Sequence, residues 1–409
     1  MVLSRCIGID TDVFATEYWG QKPLLSRSGA LPRDFCDVLS PDMVDELIAE
    51  RGVRAPFIRL AKEGHVLSRD SYLGPAGFGA EIGDQVDSAK VLSQLGSGAT
   101  VVLQGLHRLW PPLIDFVRQA VDDIGHPVQA NAYITPPGNR GFDFHYDVHD
   151  VFVLQVSGTK RWIVHEPVHV HPLPSQPWTD YRDQIAARVS GEPVIDVELS
   201  EGDSLYLPRG WVHAAQTLDT TSIHLTIGVA ATTAVDIARA VIEQLGAVEE
   251  LRAPLPLGIN PVDKDDVAAT TAKVIAQIAD HLRDNAEVLS TAAAERLIAR
   301  HGSRTRAEAV RPLAMMRAAE QAETVHVRWR RGLTATITHE HDDRVALSLP
   351  DKTIRFPVVC SDALRELVTG RTADARTLPG LDSADGAVLI RRLLREGALV
   401  PSLTDLAHP

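Results

Sequence analysis

Residues 144–162 read FHYDVHDVFVLQVSGTKRW, and this stretch is more informative about the fold than any other part of the chain. Two histidines and two aspartates fall within its first seven residues, and an apolar run follows that closes on Gly-Thr-Lys-Arg-Trp. An apolar run of this length, bounded by turn residues, is typical of a buried β-strand. The titratable side chains lie where that strand begins, and this placement favours a functional site.

The segments around this strand indicate the rest of the architecture. Within residues 128–229, short strands alternate with turns rich in glycine, proline and aspartate, which predicts a closed or double-sheet β architecture. Residues 14–127 mix helical and strand patterns, and the segment PDMVDELIAERG has the acidic first turn, apolar stripe and terminal glycine of a helix. The chain becomes helical beyond Ala230 and alternates strands and helices from Glu323. The predicted fold class is therefore α+β.

Composition excludes several classes of protein. The 409 residues include 41 basic and 54 acidic side chains, a formal net charge of −13, which argues against nucleic acid as the main partner and favours a basic protein or peptide. The three cysteines are too few and too scattered for a disulfide framework or a thiolate zinc site. No basic head with an apolar run and no long apolar window occurs, so we expect no signal peptide, no membrane span and a soluble cytoplasmic protein.

His145 and Asp147 have the spacing of a metal site. On an extended strand, residues i and i+2 point to the same face about 7 Å apart, so both side chains can reach one ion. His213, in EGDSLYLPRGWVHAA, is the best candidate for a third ligand because turns bracket the short strand before it. Two histidines and one carboxylate that leave positions open form the arrangement of non-haem Fe(II) oxygenases. A solvated loop with satisfied polar groups is the alternative for a bare His-x-Asp.

Four longer segments resemble one known family. They are YWGQKPLL, VVLQGLHRLWPPL, NAYITPPGNRGFDFHYDVHDVFVLQVSGTKRW and GDSLYLPRGWVHAAQTLDTTSIHLTIG. They are similar to the JmjC/cupin 2-oxoglutarate oxygenases and, within them, to the ribosomal oxygenases, which hydroxylate side chains of ribosomal proteins. The resemblance implies a double-stranded β-helix (jelly roll) with an N-terminal α/β extension over residues 1–230. It further implies a helical dimerisation region over 231–320 and a winged-helix-like domain over 321–409.

The same resemblance implies the cofactors and their residues. The family's metal ligands fall on His145, Asp147 and His213, and its cosubstrate-binding basic residue falls on Lys160. The implied cofactors are Fe(II), 2-oxoglutarate as cosubstrate, and dioxygen. A lysine suits this role because its ammonium pairs with the distal carboxylate of 2-oxoglutarate. A surface lysine at a strand end is the alternative.

Two further residues are expected near the cosubstrate. Asn131 matches an asparagine that the family places close to the active centre, and the alternative is a strand residue bonded to neighbouring backbone. His224, in SIHLTIG, lies on a later strand and is expected to line the pocket, although a buried, hydrogen-bonded histidine fits the pattern equally.

The other histidines are expected to serve different purposes. His149 is expected to support the site or to face solvent, because its spacing from His145 suits a helix and not the predicted strand. The run HEPVHVHP, with its interrupting prolines, is expected to be an exposed loop. THEHDD, around His339, is expected to be a polar hairpin turn.

The functional expectation is hydroxylation of a histidine or arginine side chain of a ribosomal protein, since an acidic enzyme suits a basic partner. Oxidation of another peptide, or demethylation of N-methyl-lysine, is the alternative within enzymes. A DNA-binding regulator with a cupin sensor is the alternative from another class. Residues 323–409 contain twelve basic and twelve acidic side chains, so no direct DNA binding is expected. Similar proteins lead us to expect a homodimer.

Overall fold

The computed structural model describes residues 1–79, 81–139 and 142–402. The chain divides into two compact units, Met1–Thr232 and Thr233–Pro409, the second described as far as Ser402. The further division of the second unit near residue 320 stays a prediction.

The first unit combines short helices with two main sheets. Its helices are α1 (Leu3–Cys6), α2 (Thr11–Glu17), α3 (Pro41–Ala49), α4 (Ser88–Gly96), α5 (Pro111–Ile124) and α6 (Arg182–Arg188). Its strands are β1 (Leu24–Ser26), β2 (Ile58–Lys62), β3 (His65–Val66), β4 (Leu73–Gly74), β5 (Gln85–Val86), β6 (Thr100–Leu103), β7 (Val128–Thr135), β8 (Asp150–Ser157), β9 (Lys160–His165), β10 (Ile195–Leu199), β11 (Ser204–Leu207), β12 (Val212–Thr217) and β13 (Ser222–Val229).

The strands form the double-sheet architecture that the sequence predicts. The larger sheet has the order β1-β11-β8-β13-β7-β6-β2-β3, and the smaller has the order β10-β9-β12. The pairings of β8 with β11 and β13, and of β9 with β10 and β12, are antiparallel. A buried cluster joins β8 of the larger sheet to β9 of the smaller, so the two sheets pack face to face.

Strand β8 carries apolar residues on both of its faces from Val151 to Leu154, and both faces are buried. Val151 and Val153 point between the sheets, where they join a cluster with Trp162 of β9. Phe152 and Leu154 point to the opposite face and join the larger core beneath the N-terminal helices. Alternate residues of a strand lie on opposite faces, so a strand between two cores carries apolar residues on both faces.

Helix α5 covers the outer face of the larger sheet. It begins with Pro111, whose ring suits the first helical position, and ends at Gly125, whose φ of 75° suits a left-handed cap. Leu113, Phe116 and Val117 form its buried stripe within the larger core. Each fully buried side chain of this size contributes about 1.5–3 kcal/mol, so this stripe holds the helix against the sheet.

The second unit is helical first and then mixed. Its helices are α7 (Ala234–Ile242), α8 (Glu249–Arg252), α9 (Lys264–Asp284), α10 (Ala286–Thr305), α11 (Pro312–Glu320), α12 (Ser361–Val368) and α13 (Ser383–Arg395). Its strands are β14 (Val327–Trp329), β15 (Thr336–Glu340), β16 (Arg344–Leu349), β17 (Lys352–Pro357) and β18 (Leu399–Pro401). Strands β15, β16 and β17 form one antiparallel sheet, and β14 pairs with β18.

Two of the sequence predictions for polar segments have different outcomes. The hairpin around His339 is confirmed, because β15 ends at Glu340 and β16 starts at Arg344. The exposed loop at HEPVHVHP is confirmed only in part, because His165 is the last residue of β9 and is buried beside Phe144. Within the described ranges, we find no helix with the length and apolar character needed to cross a membrane.

Candidate metal and cosubstrate site

The two segments that carry the predicted metal ligands are joined through their backbones. The His145 N–H donates to the His213 carbonyl at 3.1 Å, and the His213 N–H donates to the His145 carbonyl at 2.8 Å. The Gly210 N–H donates to the Asp147 carbonyl at 3.0 Å. The expectation that His145 and Asp147 lie on a regular strand is wrong, because this pairing is an isolated bridge and β8 starts only at Asp150. The single bridge leaves the chain free to turn, so that both side chains point inward.

The three predicted ligands converge. One ligand atom from each of His145, Asp147 and His213 lies within 4.8 Å of the other two. The Nε2 of His213 is 3.8 Å from the Oδ2 of Asp147, and the two imidazole centroids are 4.6 Å apart. His213 is the second residue of β12, and so the ligand from the smaller sheet meets the two ligands that precede β8 of the larger sheet.

Backbone carbonyls fix the tautomer of both imidazoles. The Nδ1 of His145 lies 2.7 Å from the Asp143 carbonyl, and the Nδ1 of His213 lies 2.9 Å from the Trp211 carbonyl. A carbonyl only accepts hydrogen bonds, so each Nδ1 carries the proton and each Nε2 keeps its lone pair. This is the arrangement by which metal-binding histidines are oriented.

The protonation states also suit a cation. Burial, followed by the nearby His145, lowers the pKa of His213 to about 4, so its imidazole is neutral at pH 7. Burial alone would raise the pKa of Asp147, but His149, His145 and His213 lower it further than burial raises it, and its carboxyl is ionised. The neutral imidazole of His213, the Nε2 of His145 and one carboxylate therefore fit a divalent first-row metal ion such as Fe(II).

The ligands lie at one end of a cavity of about 360 Å³ between the two sheets. Its apolar lining includes Val151, Val153 and Leu207 from the larger sheet and Trp162 from the smaller. Besides the metal ligands, the charged side chains in its lining are Arg59, Asp143 and Lys160, and of these Lys160 belongs to the smaller sheet. A concave, mostly apolar cavity with convergent polar groups is typical of a small-molecule site.

Lys160 is buried, so the surface-lysine alternative does not apply. Its side chain is 3% exposed, and its Nζ donates to the Thr135 hydroxyl at 3.1 Å. Burial lowers the pKa of Lys160 to about 7. The turn before it requires glycine, because Gly158 has a φ of 65° and a Cβ there would lie 2.2 Å from the Thr221 carbonyl. A buried ammonium with a hydroxyl neighbour invites an anionic ligand.

His224 and Asn131 occupy different surroundings. His224 lines the cavity, stacks on Tyr133 with 4.9 Å between centroids, and is buried with no described partner for its Nδ1. Burial, and then the charge of Lys160, keep its pKa well below the usual value. Asn131 is not among the described lining residues, and its side-chain oxygen accepts a hydrogen bond from the Gly105 N–H at 2.9 Å.

His149 supports the site from behind. Its ring occupies the space beside Gly228, where a Cβ would lie 2.7 Å from the His149 Cδ2. Of the neighbouring charges, that of His149 contributes most to lowering the pKa of Asp147. It is not in the group of three that could hold a metal.

Sequence reasoning did not single out four of the lining side chains: Arg59, Tyr133, Phe142 and Trp178. Tyr133 and Phe142 stand within the segment NAYITPPGNRGFDFH that carries the resemblance, so their position was a usable signal. Arg59 and Trp178 come from β2 and from the region between β9 and α6, and neither has a spacing relation to the ligands.

Comparisons with known proteins cover the segment that contains this site. Residues 113–237 match the family model of the JmjC domain. The chain is 44% identical over 229 residues to the bifunctional lysine-specific demethylase and histidyl-hydroxylase NO66 of Drosophila melanogaster, covering 54% of this chain and 32% of that protein. It is 44% identical over 110 residues to ribosomal oxygenase 1 of Danio rerio, covering 26% and 19%.

A solved structure extends the likeness in fold. The ribosomal oxygenase YcfD of Escherichia coli, in complex with cobalt and 2-oxoglutarate, matches with a TM-score of 0.52 at 17% identity, over 97% of this chain and 99% of its own. The fold and the site together define a JmjC-type β-sandwich with a two-histidine, one-carboxylate constellation. Residues 113–237 are thus similar to the JmjC domain, and the resemblance to ribosomal oxygenases stated from the sequence is confirmed. It spans less than a third of the length of the two relatives from Drosophila and Danio.

Proposed function

We propose that this protein is an Fe(II)- and 2-oxoglutarate-dependent oxygenase that hydroxylates a protein side chain. The observation that carries the proposal is one cavity lined both by three side chains that could hold a metal and by a buried lysine. Iron bound with 2-oxoglutarate and dioxygen supplies the oxidising power to insert one oxygen atom into a C–H bond, while the other oxygen atom ends in succinate as carbon dioxide is released.

The chain's own residues bind, orient and exclude water. His145, Asp147 and His213 would hold the metal through the two Nε2 atoms and a carboxylate oxygen. Lys160 would pair with the distal carboxylate of 2-oxoglutarate, and the apolar walls would strengthen that pair by lowering the local dielectric constant. His224, neutral and with its Nδ1 unpartnered within the described chain, would contact the cosubstrate. Asn131 would act indirectly, through its bond to Gly105.

The proposed target is a histidine or arginine side chain of a ribosomal protein. The net charge of −13 supports a basic partner, because complementary charge speeds encounter. One relative is named a ribosomal oxygenase and another a histidyl-hydroxylase, and both names also support this choice. The cytoplasmic location stays a prediction.

The test is the intact mass of ribosomal proteins from cells with and without this gene. We expect a single difference of about +16 Da, one added oxygen, on one protein, and fragment spectra then name the residue. In parallel, the purified chain with Fe(II) and 2-oxoglutarate should form succinate, and its Asp147→Ala variant should not. Undiminished turnover by that variant would contradict the proposal. Succinate formation without a ribosomal mass change would keep the oxygenase and remove the ribosomal target.

Demethylation of N-methyl-lysine is the second candidate, because the Drosophila relative is named as a lysine-specific demethylase as well as a hydroxylase. Oxidation of an N-methyl group releases formaldehyde, and hydroxylation at carbon does not. Formaldehyde released in step with succinate from a methylated peptide would favour this candidate.

We also propose that the helical region forms a homodimer and that the C-terminal module is winged-helix-like. Helix α9 has no buried residue in the isolated chain, and Val267 and Ile275, two turns apart, are 37% and 60% exposed. An apolar stripe of this kind suits a partner helix. Light scattering should give twice the chain mass, and Ile275→Glu should give the monomer.

A further inference from the structure

We propose that Arg59 positions the target residue and restricts it to an uncharged side chain with a hydrogen-bond acceptor, which makes histidine the substrate class and excludes arginine and N-methyl-lysine. This inference rests on the proposed function. It concerns a residue of the N-terminal extension, outside the segment that matches the JmjC domain.

Arg59 lies in a row of paired residues that crosses the sheet to the cosubstrate end of the cavity. Arg59 pairs with Val102, Val102 pairs with Tyr133, and Tyr133 pairs with His224. Directly paired residues of antiparallel strands point to the same face, so all four side chains face the cavity side of the sheet. Val102 is short, which leaves space for the Arg59 side chain to extend over it towards Tyr133.

The guanidinium of Arg59 lies over an aromatic ring and near a metal ligand. Its Cζ lies 5.4 Å from the Phe142 ring centroid, a cation–π distance. Burial raises the pKa of the Tyr133 hydroxyl, and the nearby Arg59 opposes that rise. Arg59 is also one of the charges that act on Asp147. The guanidinium therefore lines the same cavity as the proposed metal ligands.

One donor of this guanidinium has no acceptor. The Nε of Arg59 is buried and has no hydrogen-bond partner among the described residues. A buried donor without an acceptor is costly, and a bound group that supplies one regains that free energy. The structure thus contains an unused, charged donor in the wall of the cavity.

Only some target side chains can use that donor. A neutral imidazole offers one acceptor nitrogen, whereas the guanidinium of arginine and the ammonium of lysine offer donors alone. A cationic target would also meet the like charge of Arg59. Asp143 lines the cavity too, but it is exposed, so solvent screens its charge more than that of Arg59.

The aromatic side chains near His145 suit a flat ring. Trp178 lies 6.1 Å from the His145 ring centroid, and Phe142 lies 6.0 Å from it, so aromatic walls approach the metal centre from two elements. An imidazole between such walls gains stacking contacts while its acceptor nitrogen faces Arg59. Histidine therefore satisfies both the donor and the walls.

The test measures binding to the full chain loaded with Mn(II), which is paramagnetic and does not support turnover, and 2-oxoglutarate. The probes are N-acetyl-histidine methylamide and N-acetyl-arginine methylamide, and the readout is the relaxation of their protons by Mn(II). We expect the wild-type chain to bind the histidine probe about tenfold tighter or more. We expect Arg59→Met to lose that preference and Arg59→Glu to reverse it.

If Arg59 had only a structural role, its replacement would weaken the binding of both probes to the same extent and would not reverse the order of their affinities. Equal binding of the two probes by the wild-type chain, or an unchanged preference in Arg59→Met, overturns the inference. The wild-type comparison decides even where a variant does not fold. Calorimetry of 2-oxoglutarate binding separates the two proposals. If 2-oxoglutarate does not bind, both the proposed function and this inference fail. If it binds but the two probes bind equally, only this inference is refuted. The +16 Da residue should correspondingly be a histidine.

Discussion

The two ends of the cavity treat a buried charge in opposite ways. At the metal end, the carboxylate of Asp147 lies among the imidazoles of His145, His149 and His213, which together hold its pKa below the usual value. At the other end, the ammonium of Lys160 has a hydroxyl as its described hydrogen-bond partner, and burial lowers its pKa to about 7. One end carries an ion stabilised by its neighbours, and the other carries an ion that its surroundings destabilise.

The difference shows which end is complete before ligands arrive. Backbone hydrogen bonds between His145 and His213 bring the metal ligands together, and they do not depend on a bound ion. The lysine end has no comparable support, because an ammonium in an apolar wall costs free energy until an anion pairs with it. We therefore expect metal binding to depend on geometry and cosubstrate binding to depend on charge.

The largest expected effect is at the metal end. Asp147→Ala removes the carboxylate ligand but leaves the backbone bridge, so the chain should fold and bind Mn(II) at least about a hundredfold more weakly. Electron paramagnetic resonance of free Mn(II) measures the affinity. The matched control is Asp196→Asn. It removes the carboxylate of Asp196 on β10, which pairs with Arg161 on β9, and this variant should bind Mn(II) as the wild-type chain does. Equal affinity in Asp147→Ala would show that another group holds the metal.

The second prediction is that replacing a buried polar residue stabilises the ligand-free chain, whereas such a change usually destabilises a protein. Lys160→Met should weaken 2-oxoglutarate binding about a hundredfold and leave Mn(II) affinity unchanged, because only the partner of the distal carboxylate is lost. The same change should raise the free energy of unfolding of the ligand-free chain by about 1–4 kcal/mol, since a buried, unpaired ammonium becomes an apolar side chain.

Calorimetry and denaturant unfolding measure the two effects. Lys352→Met is the control, because that lysine pairs with Glu396 in the second unit and should not affect the cosubstrate. A destabilised ligand-free Lys160→Met chain would refute the comparison between the two ends.

The metal end could be predicted from the sequence because its determinants are local. His145 and Asp147 are two residues apart, an apolar strand follows, and His213 stands between turns. The resemblance then placed Lys160 in the cavity, and the structure agrees. What the sequence misplaced was the conformation: an isolated bridge replaces the expected strand, because the chain bends at Val148 and His149 before β8 begins.

The surroundings of the lysine end could not be predicted because they are contributed by distant segments. Thr135 is 25 residues from Lys160 in sequence and meets it only when β7 of one sheet faces β9 of the other. Arg59 reaches the cavity from β2 across the pairings of β6 and β7. Neither the register of those pairings nor the depth of burial is encoded by a spacing of residues, and burial decides the charge of Lys160.

The third prediction uses the pKa of Lys160. Pairing with a carboxylate favours the ammonium, so 2-oxoglutarate binding takes up a proton when the free lysine is neutral. Because the free pKa is about 7, affinity should fall as pH rises above 7, approaching tenfold per pH unit. The unfolded lysine binds protons up to higher pH than the folded one, so the stability of the ligand-free chain should rise over the same interval.

Calorimetric titrations between pH 6 and 9 (roughly the span from protonated to neutral Lys160) measure the affinity. Lys160→Met should show a flat profile, since the titrating group is gone. A wild-type profile as flat as that of the variant would mean that the lysine stays charged without its anion.

The smallest expected effect comes from the Thr135 hydroxyl, to which Lys160 donates. Thr135→Val keeps the side-chain shape and removes the oxygen to which Lys160 donates, and it also removes the partner of the Thr100 hydroxyl. The ligand-free chain should lose about 0.5–1.5 kcal/mol of stability, and 2-oxoglutarate should bind about three- to tenfold more weakly at pH 7. The reason is that an ammonium without this acceptor loses its proton more readily, so the pH at which affinity begins to fall should move below 7. Thr336→Val makes the same replacement at an exposed strand position of the second unit and serves as the control. A weaker affinity with an unmoved pH profile would assign to Thr135 a direct contact with the cosubstrate and would leave the charge of Lys160 independent of it.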